Sequence, residues 1–134
     1  MKLEPPLRVI VVDDSDFFRR LLIGLLDDVD EVQVVGQGDS GERAFSLVRK
    51  HRPDVAIIDL RMPVTGWVAM DAVRRARPST RVVVLTAMDE EQRHEASRRG
   101  ADAVISKFGR QDLLGETVDA LARVTGRRVP APAD

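Results

Sequence analysis

An α/β domain built on a five-stranded parallel sheet is the fold class this sequence predicts, and two observations predict it. Short apolar runs without polar alternation recur along the chain, as strands buried on both faces require. Between them lie stretches whose apolar residues return at helical spacing, and strict strand–helix alternation is the mark of a parallel sheet covered by helices. A length of 134 residues suits one domain and leaves little for a second.

The first strand is read over Arg8-Val9-Ile10-Val11-Val12, a β-branched block. Ser15 and Asp16 can cap the helix that follows, whose apolar positions are Phe17, Phe18, Leu21, Leu22 and Leu25. Val32 to Val35 make the second strand, and Asp39-Ser40-Gly41-Glu42 set capping oxygens and an early acid before a helix carrying Ala44, Leu47 and Val48. Pro53 separates that helix from a third strand, Val55 to Ile58. Thr65 can cap the third helix, with Val68, Ala72 and Val73 on its apolar face, and Pro78 ends it before the strand Val82 to Leu85. Residues 89–100 form the weakest helix, because charged side chains surround little more than Ala96. Ala103 to Ile105 give the fifth strand, and Leu113, Leu114, Val118 and Leu121 the last helix. The domain is expected over residues 7–125, after an N-terminal extension of residues 1–6. Residues 126–134, rich in proline and alanine, read as a flexible tail or a linker to an output domain absent from this chain.

Composition excludes several functions. Hydrophobic residues at 43% and charged residues at 32% let such a chain bury roughly two-thirds of its unfolded surface and fold unaided. Lys+Arg 21 against Asp+Glu 22 leaves a net charge of −1, so no global field holds the chain on a polyanion. With no cysteine there is no disulfide scaffold, thiolate metal site or thiol nucleophile. No apolar run approaches the roughly 20 residues of a membrane span, and the start lacks the apolar core of a secretion signal, so a soluble cytoplasmic protein is expected.

The polar residues are informative by position. Asp13 and Asp14 follow the first strand, Asp59 ends the third, Thr86 ends the fourth and Lys107 follows the fifth. All lie at carboxyl ends, where ligands of an open parallel sheet bind near the switch in strand order. If the order is 2-1-3-4-5, strands one and three are neighbours and the three carboxylates face one another. Two unit charges about 5 Å apart repel by roughly 3 kcal/mol at an effective dielectric of ~20, so the trio wants a proton or a cation. Oxygen ligands without histidine or cysteine select Mg²⁺ or Mn²⁺. A lysine opposite that ion adds the second positive charge that a phosphoryl group requires. A carboxylate can itself be the nucleophile.

Val11-Val12-Asp13-Asp14, Ile57-Ile58-Asp59-Leu60-Arg61-Met62-Pro63, Val84-Leu85-Thr86-Ala87 and Ser106-Lys107, in that order and spacing, resemble the receiver domain of two-component response regulators. The resemblance spans roughly residues 7–125. It implies a flavodoxin-like (βα)₅ fold that takes a phosphoryl group from the phosphohistidine of a sensor histidine kinase, or from a phosphotransfer protein, onto Asp59. It implies Asp14, Asp59 and the backbone carbonyl of Arg61 as direct Mg²⁺ ligands, with Asp13 acting mainly through metal-bound water. Lys107 pairs with Asp59 at rest and with a phosphoryl oxygen after transfer, while the Thr86 hydroxyl and the Ala87 amide bond the phosphoryl group. The implied protein is a phosphoacceptor switch rather than an enzyme, promoting only its own phosphorylation and slow dephosphorylation. Its output passes through the face made by the fourth helix, fifth strand and fifth helix, which also suits a homodimer; DNA contact and transcriptional regulation would need an output domain outside this chain. Two positions depart from the family pattern: Val104 stands where a switching Tyr or Phe is common, and Phe108 follows the lysine where proline is common. Arg61 and Met88 flank the site at variable positions.

Other readings are weaker. Asp13-Asp14 alone reads as a capping pair, Asp59 alone as a turn residue and Lys107 alone as a solvated charge. Gly36-Gln37-Gly38-Asp39-Ser40-Gly41 mimics a dinucleotide fingerprint, but Asp39 would face the pyrophosphate and the second mononucleotide half is missing, so turn glycines are expected. Asp14-Ser15-Asp16 with Thr86 and Lys107 faintly resembles the haloacid-dehalogenase phosphatases, the alternative reading, with Asp14 as nucleophile. His51 and His94 are expected to face solvent, and Trp67 to lie across the rim, packed on the core or meeting a partner.

Overall fold

Among the described residues five strands and five helices alternate: β1 (Leu7–Val12), α1 (Asp16–Asp27), β2 (Val32–Gly38), α2 (Ala44–His51), β3 (Val55–Asp59), α3 (Pro63–Ala76), β4 (Arg81–Thr86), α4 (Glu90–Arg98), β5 (Ala103–Ser106) and α5 (Leu113–Thr125). The computed structural model describes residues 4–59, 63–86, 90–107 and 112–132, and of residues 63–65 the backbone alone. All strand pairs are parallel, in the order β2-β1-β3-β4-β5. The expected topology is therefore the observed one.

Pleating divides the apolar residues between two cores, because successive side chains of a strand point to opposite faces. Val9, Val11, Ile57 and Leu85 meet Leu22, Leu26, Val118 and Leu121 of α1 and α5. Ile10, Val12, Ile58 and Val84 meet Val48, Ala69, Val73 and Ala96 of α2, α3 and α4. Each fully buried Leu or Ile contributes about 1.5–3 kcal/mol, an upper figure because the unfolded chain already buries some of it.

Helix boundaries follow the predicted caps in part. Ser15 Oγ accepts the Phe18 amide at 3.2 Å and opens α1. A 3₁₀ turn, Gly41–Arg43, intervenes before α2, so Ser40 makes no side-chain cap. The third helix begins at Pro63, ahead of Thr65, as suits a proline at the first helical position; the Thr65 side chain lies outside the described residues. Gly36 and Gly38 admit α2 closely: a Cβ on them would lie 2.8 Å from His51 Cδ2 and 2.9 Å from Leu47 Cδ1. His51 is thus half-buried over Gly36 rather than solvated, whereas His94 is exposed.

Ala96 is the buried residue of α4, as its sequence suggests. Polar anchors hold its C-terminal end instead. Arg74 of α3 donates to the carbonyls of Arg99 at 3.1 Å and Gly100 at 3.0 Å, and the Arg99 guanidinium lies 4.6 Å from the centroid of the Trp67 ring. Trp67 also packs on the second core. The segment after α5 is docked as far as Val129, which is 7% exposed within the first core. Arg127 holds it to the chain start, through Glu4 Oε2 at 2.8 Å and the carbonyl of Pro5.

Candidate functional site

Parallel register brings the site together. Val12 is opposite Ile58, so the next residues, Asp13 and Asp59, leave their strands side by side. Thr86 is opposite Ser106, and the Lys107 amide donates to the Thr86 carbonyl at 2.9 Å. The β1–α1 turn is fixed from two directions: the Asp13 amide donates to the Gly38 carbonyl at 3.0 Å, and the Ser15 amide to Asp13 Oδ1 at 2.8 Å.

Asp13, Asp14 and Asp59 each present a carboxylate oxygen within 4.8 Å of the other two. Lys107 Nζ donates to Asp59 Oδ2 at 2.7 Å and stands 3.7 Å from Asp13 Oδ2. The side chains of Lys107, Asp59 and Asp13 are 5%, 1% and 1% exposed, whereas Asp14 lies at the surface. Thr86, at the end of β4, is buried. Of the residues singled out in the sequence, the structure gathers Asp13, Asp14, Asp59 and Lys107, with Thr86 closing the neighbouring strand. Ala87, Arg61, Met88 and Phe108 lie outside the described residues.

Charge balance explains the chemistry available. Burial pushes the Asp13 carboxyl up from 3.8 to about 6; the Ser15 amide opposes this, the Asp59 carboxylate adds to it and the Lys107 ammonium again opposes it. One ammonium cannot neutralise three carboxylates, and Asp13 Oδ2 is buried without a hydrogen-bond partner among the described residues. An orphaned oxygen among hard oxygen donors, with no histidine or cysteine in the cluster, fits a small divalent cation held by Asp13, Asp14 and Asp59.

Two residues of α1 support the site without having stood out in the sequence. Arg19, buried, donates to the Asp13 carbonyl at 2.6 Å and to Gln37 Oε1 at 2.8 Å, and pairs with Asp16. The Phe18 ring centroid lies 3.7 Å from Lys107 Nζ. Phe18 reads in the sequence as one more member of an apolar stripe. An arginine among apolar neighbours was the available signal for Arg19, since arginine is seldom buried unpaired.

Comparison with known proteins agrees with this geometry. The family described as "Response regulator receiver domain" matches residues 9–119. The chain is 41% identical over 86 residues to the response regulator GacA of Pseudomonas viridiflava, covering 63% of this chain and 40% of that protein. It is 36% identical over 128 residues to the probable transcriptional regulatory protein NarL of Mycobacterium tuberculosis, covering 94% of this chain and 58% of that protein. The chain thus spans roughly half the length of these relatives. The solved receiver domain of the M. tuberculosis NarL superposes with a TM-score of 0.80 at 35% identity, covering 92% of this chain and all of that one.

Proposed function

This chain belongs to the response regulator receiver domain family, and from that premise we propose that Asp59 is the residue that accepts the phosphoryl group of a sensor histidine kinase or phosphotransfer protein. The chain is a receiver domain of the two-component type. The haloacid-dehalogenase reading is not supported: the family match covers residues 9–119, and the lysine pairs with Asp59 rather than with exposed Asp14.

The observation that carries the Asp59 assignment is its buried carboxylate, 2.7 Å from Lys107 Nζ inside the three-carboxylate cluster. In the transfer, a carboxylate oxygen of Asp59 forms the O–P bond as the donor's P–N bond breaks, and the imidazole leaves with the bond's electron pair. Asp13, Asp14 and Asp59, with the Arg61 carbonyl, would hold Mg²⁺ or Mn²⁺. Such an ion, when bound, supplies neutralisation of the charge on the phosphoryl oxygens. Lys107 exchanges its bond to Asp59 for one to a phosphoryl oxygen, while the Thr86 hydroxyl and Ala87 amide take others. The domain positions and stabilises, and needs no general base.

Output through α4, β5 and α5 belongs to the same proposal. A groove of about 360 Å³ there is lined by Arg93, Val104, Ser106, Glu116, Asp119 and Arg123, so both charge signs are available to pair with a second copy. The inward-swinging aromatic common in this family has no counterpart in Val104, which leaves the Thr86 displacement to move α4. The chain acts in the cytoplasm in this reading; among the described residues no helix is long and apolar enough to cross a membrane.

Labelling with acetyl phosphate in the presence of Mg²⁺ tests the assignment. Wild type takes up one phosphoryl group and Asp59→Asn takes none. Retention of the label by Asp59→Asn, with its loss from Asp14→Asn, would overturn it.

A further inference from the structure

Lys107 has a third neighbour that is not an anion, and that neighbour gives the ammonium a fixed seat. The Phe18 ring centroid is 3.7 Å from Nζ, well inside the roughly 6 Å over which a ring face attracts a cation. The contact is dry, because the lysine side chain is 5% exposed, and a ring quadrupole acts most strongly on a cation that has lost its water. Phe18 is held in place by its own backbone: its amide donates to Ser15 Oγ at 3.2 Å, and its ring packs at the border of the first core. Its neighbour Phe17 is 79% exposed in the same turn, so that turn is not simply burying aromatic surface.

The two kinds of contact divide the work. Hydrogen bonds from Nζ are directional, and in the proposed reaction one of them passes from Asp59 to a phosphoryl oxygen. The ring attraction uses no donor and is not given up in that exchange; at rest the Asp59 bond already holds the ammonium, so the ring counts most once that bond has passed to the phosphoryl oxygen. We propose that Phe18 is the positioning residue of Lys107, a cation–π seat that keeps the ammonium over the site while its anionic partner changes. This inference rests on the Asp59 reading and extends it to a residue of α1.

Beryllofluoride, a phosphoryl mimic, added with Mg²⁺, and NMR of the 134-residue chain test it through a graded series. Phe18→Leu keeps an apolar side chain but removes the π face, whereas Phe18→Tyr and Phe18→Trp keep the face. In wild type the ε-methylene protons of Lys107 are shifted upfield by the ring current. The shift is lost in Phe18→Leu and kept in the Tyr and Trp variants. Beryllofluoride affinity falls on the order of tenfold in Phe18→Leu and returns to within about threefold of wild type in Phe18→Tyr or Phe18→Trp. A merely structural role predicts the opposite ranking, with Leu tolerated better than the bulkier Trp. Unshifted Lys107 protons in wild type, or equal affinity in wild type and a folded Phe18→Leu, would overturn the seat and leave the Asp59 reading standing. A folded wild-type chain that takes no beryllofluoride would overturn that reading together with the seat's role in it.

Discussion

Lys107 and Asp59 are 48 residues apart in the chain, and the ammonium of one donates to the carboxylate of the other at 2.7 Å. The pair links β3 to the end of β5, spanning the strand that carries Thr86. Removing the ammonium tests whether it serves the transfer or the response to it. Lys107→Ala is expected to accept phosphate from acetyl phosphate while losing most of the chemical-shift response in α4, β5 and α5. Retention of both label and response in full would show that the lysine has no part in the switch.

Asp13 makes stability depend on pH in an unusual direction for a carboxylate. Its folded value of about 6 lies above the ordinary 3.8, so its contribution is complete below about 3.8 and is lost as pH rises through about 6. Without divalent cation, the wild-type domain loses up to about 3 kcal/mol of stability from this group across that window. In chelator at pH 7, Asp13→Asn should therefore melt higher than wild type. Equal or lower melting would place the cost of the cluster elsewhere.

A cation that binds the folded cluster stabilises it by mass action, by about 2.7 kcal/mol at a concentration 100 times its Kd. Thermal scans with Mg²⁺ should raise the midpoint of wild type and leave Asp13→Asn with Asp14→Asn unmoved. An equal rise in both would assign the effect to general ionic strength.

Arg19 holds the acidic turn by its backbone, through the Asp13 carbonyl, as well as by its pairing with Asp16. Arg19→Met leaves the Asp13 carbonyl and Gln37 without their guanidinium partner, at a cost of about 1–3 kcal/mol. Urea unfolding reads this directly, and an unchanged midpoint would show that water replaces the guanidinium without loss.

Gly100 has φ +102°, and a Cβ there would lie 2.0 Å from a guanidinium nitrogen of Arg74. Gly100→Ala is expected to cost about 1–3 kcal/mol through backbone strain and the displaced arginine. Arg74→Met removes the two carbonyl bonds without the strain and should cost less. The reverse order would mean that the bonds, and not the backbone, set the value.

Much of this molecule was legible in the sequence because its sheet is parallel and buried on both faces. Val9 to Val12, Val55 to Ile58 and Val82 to Leu85 announce their strands by apolar continuity, and strand ends then locate Asp13, Asp59 and Lys107. What escaped depends on rotation and docking, which spacing does not encode. Phe18 and Arg19 acquire their partners from the way α1 lies beside β1 and β2, near the residue that follows β5. Val129 lies in a segment whose proline and alanine content suggests freedom, yet one buried valine and the Arg127 clasp hold it down. Ser40 looks like a helix cap and is not, because a tighter turn forms first.

Trp67 is the chain's single tryptophan, and the guanidinium it stacks with belongs to the segment just beyond α4. Its emission is thus a built-in optical gauge of the α3–α4 junction, readable without any label. If beryllofluoride drew α4 away, the indole would exchange a cationic neighbour for water, and stopped-flow fluorescence would time the event.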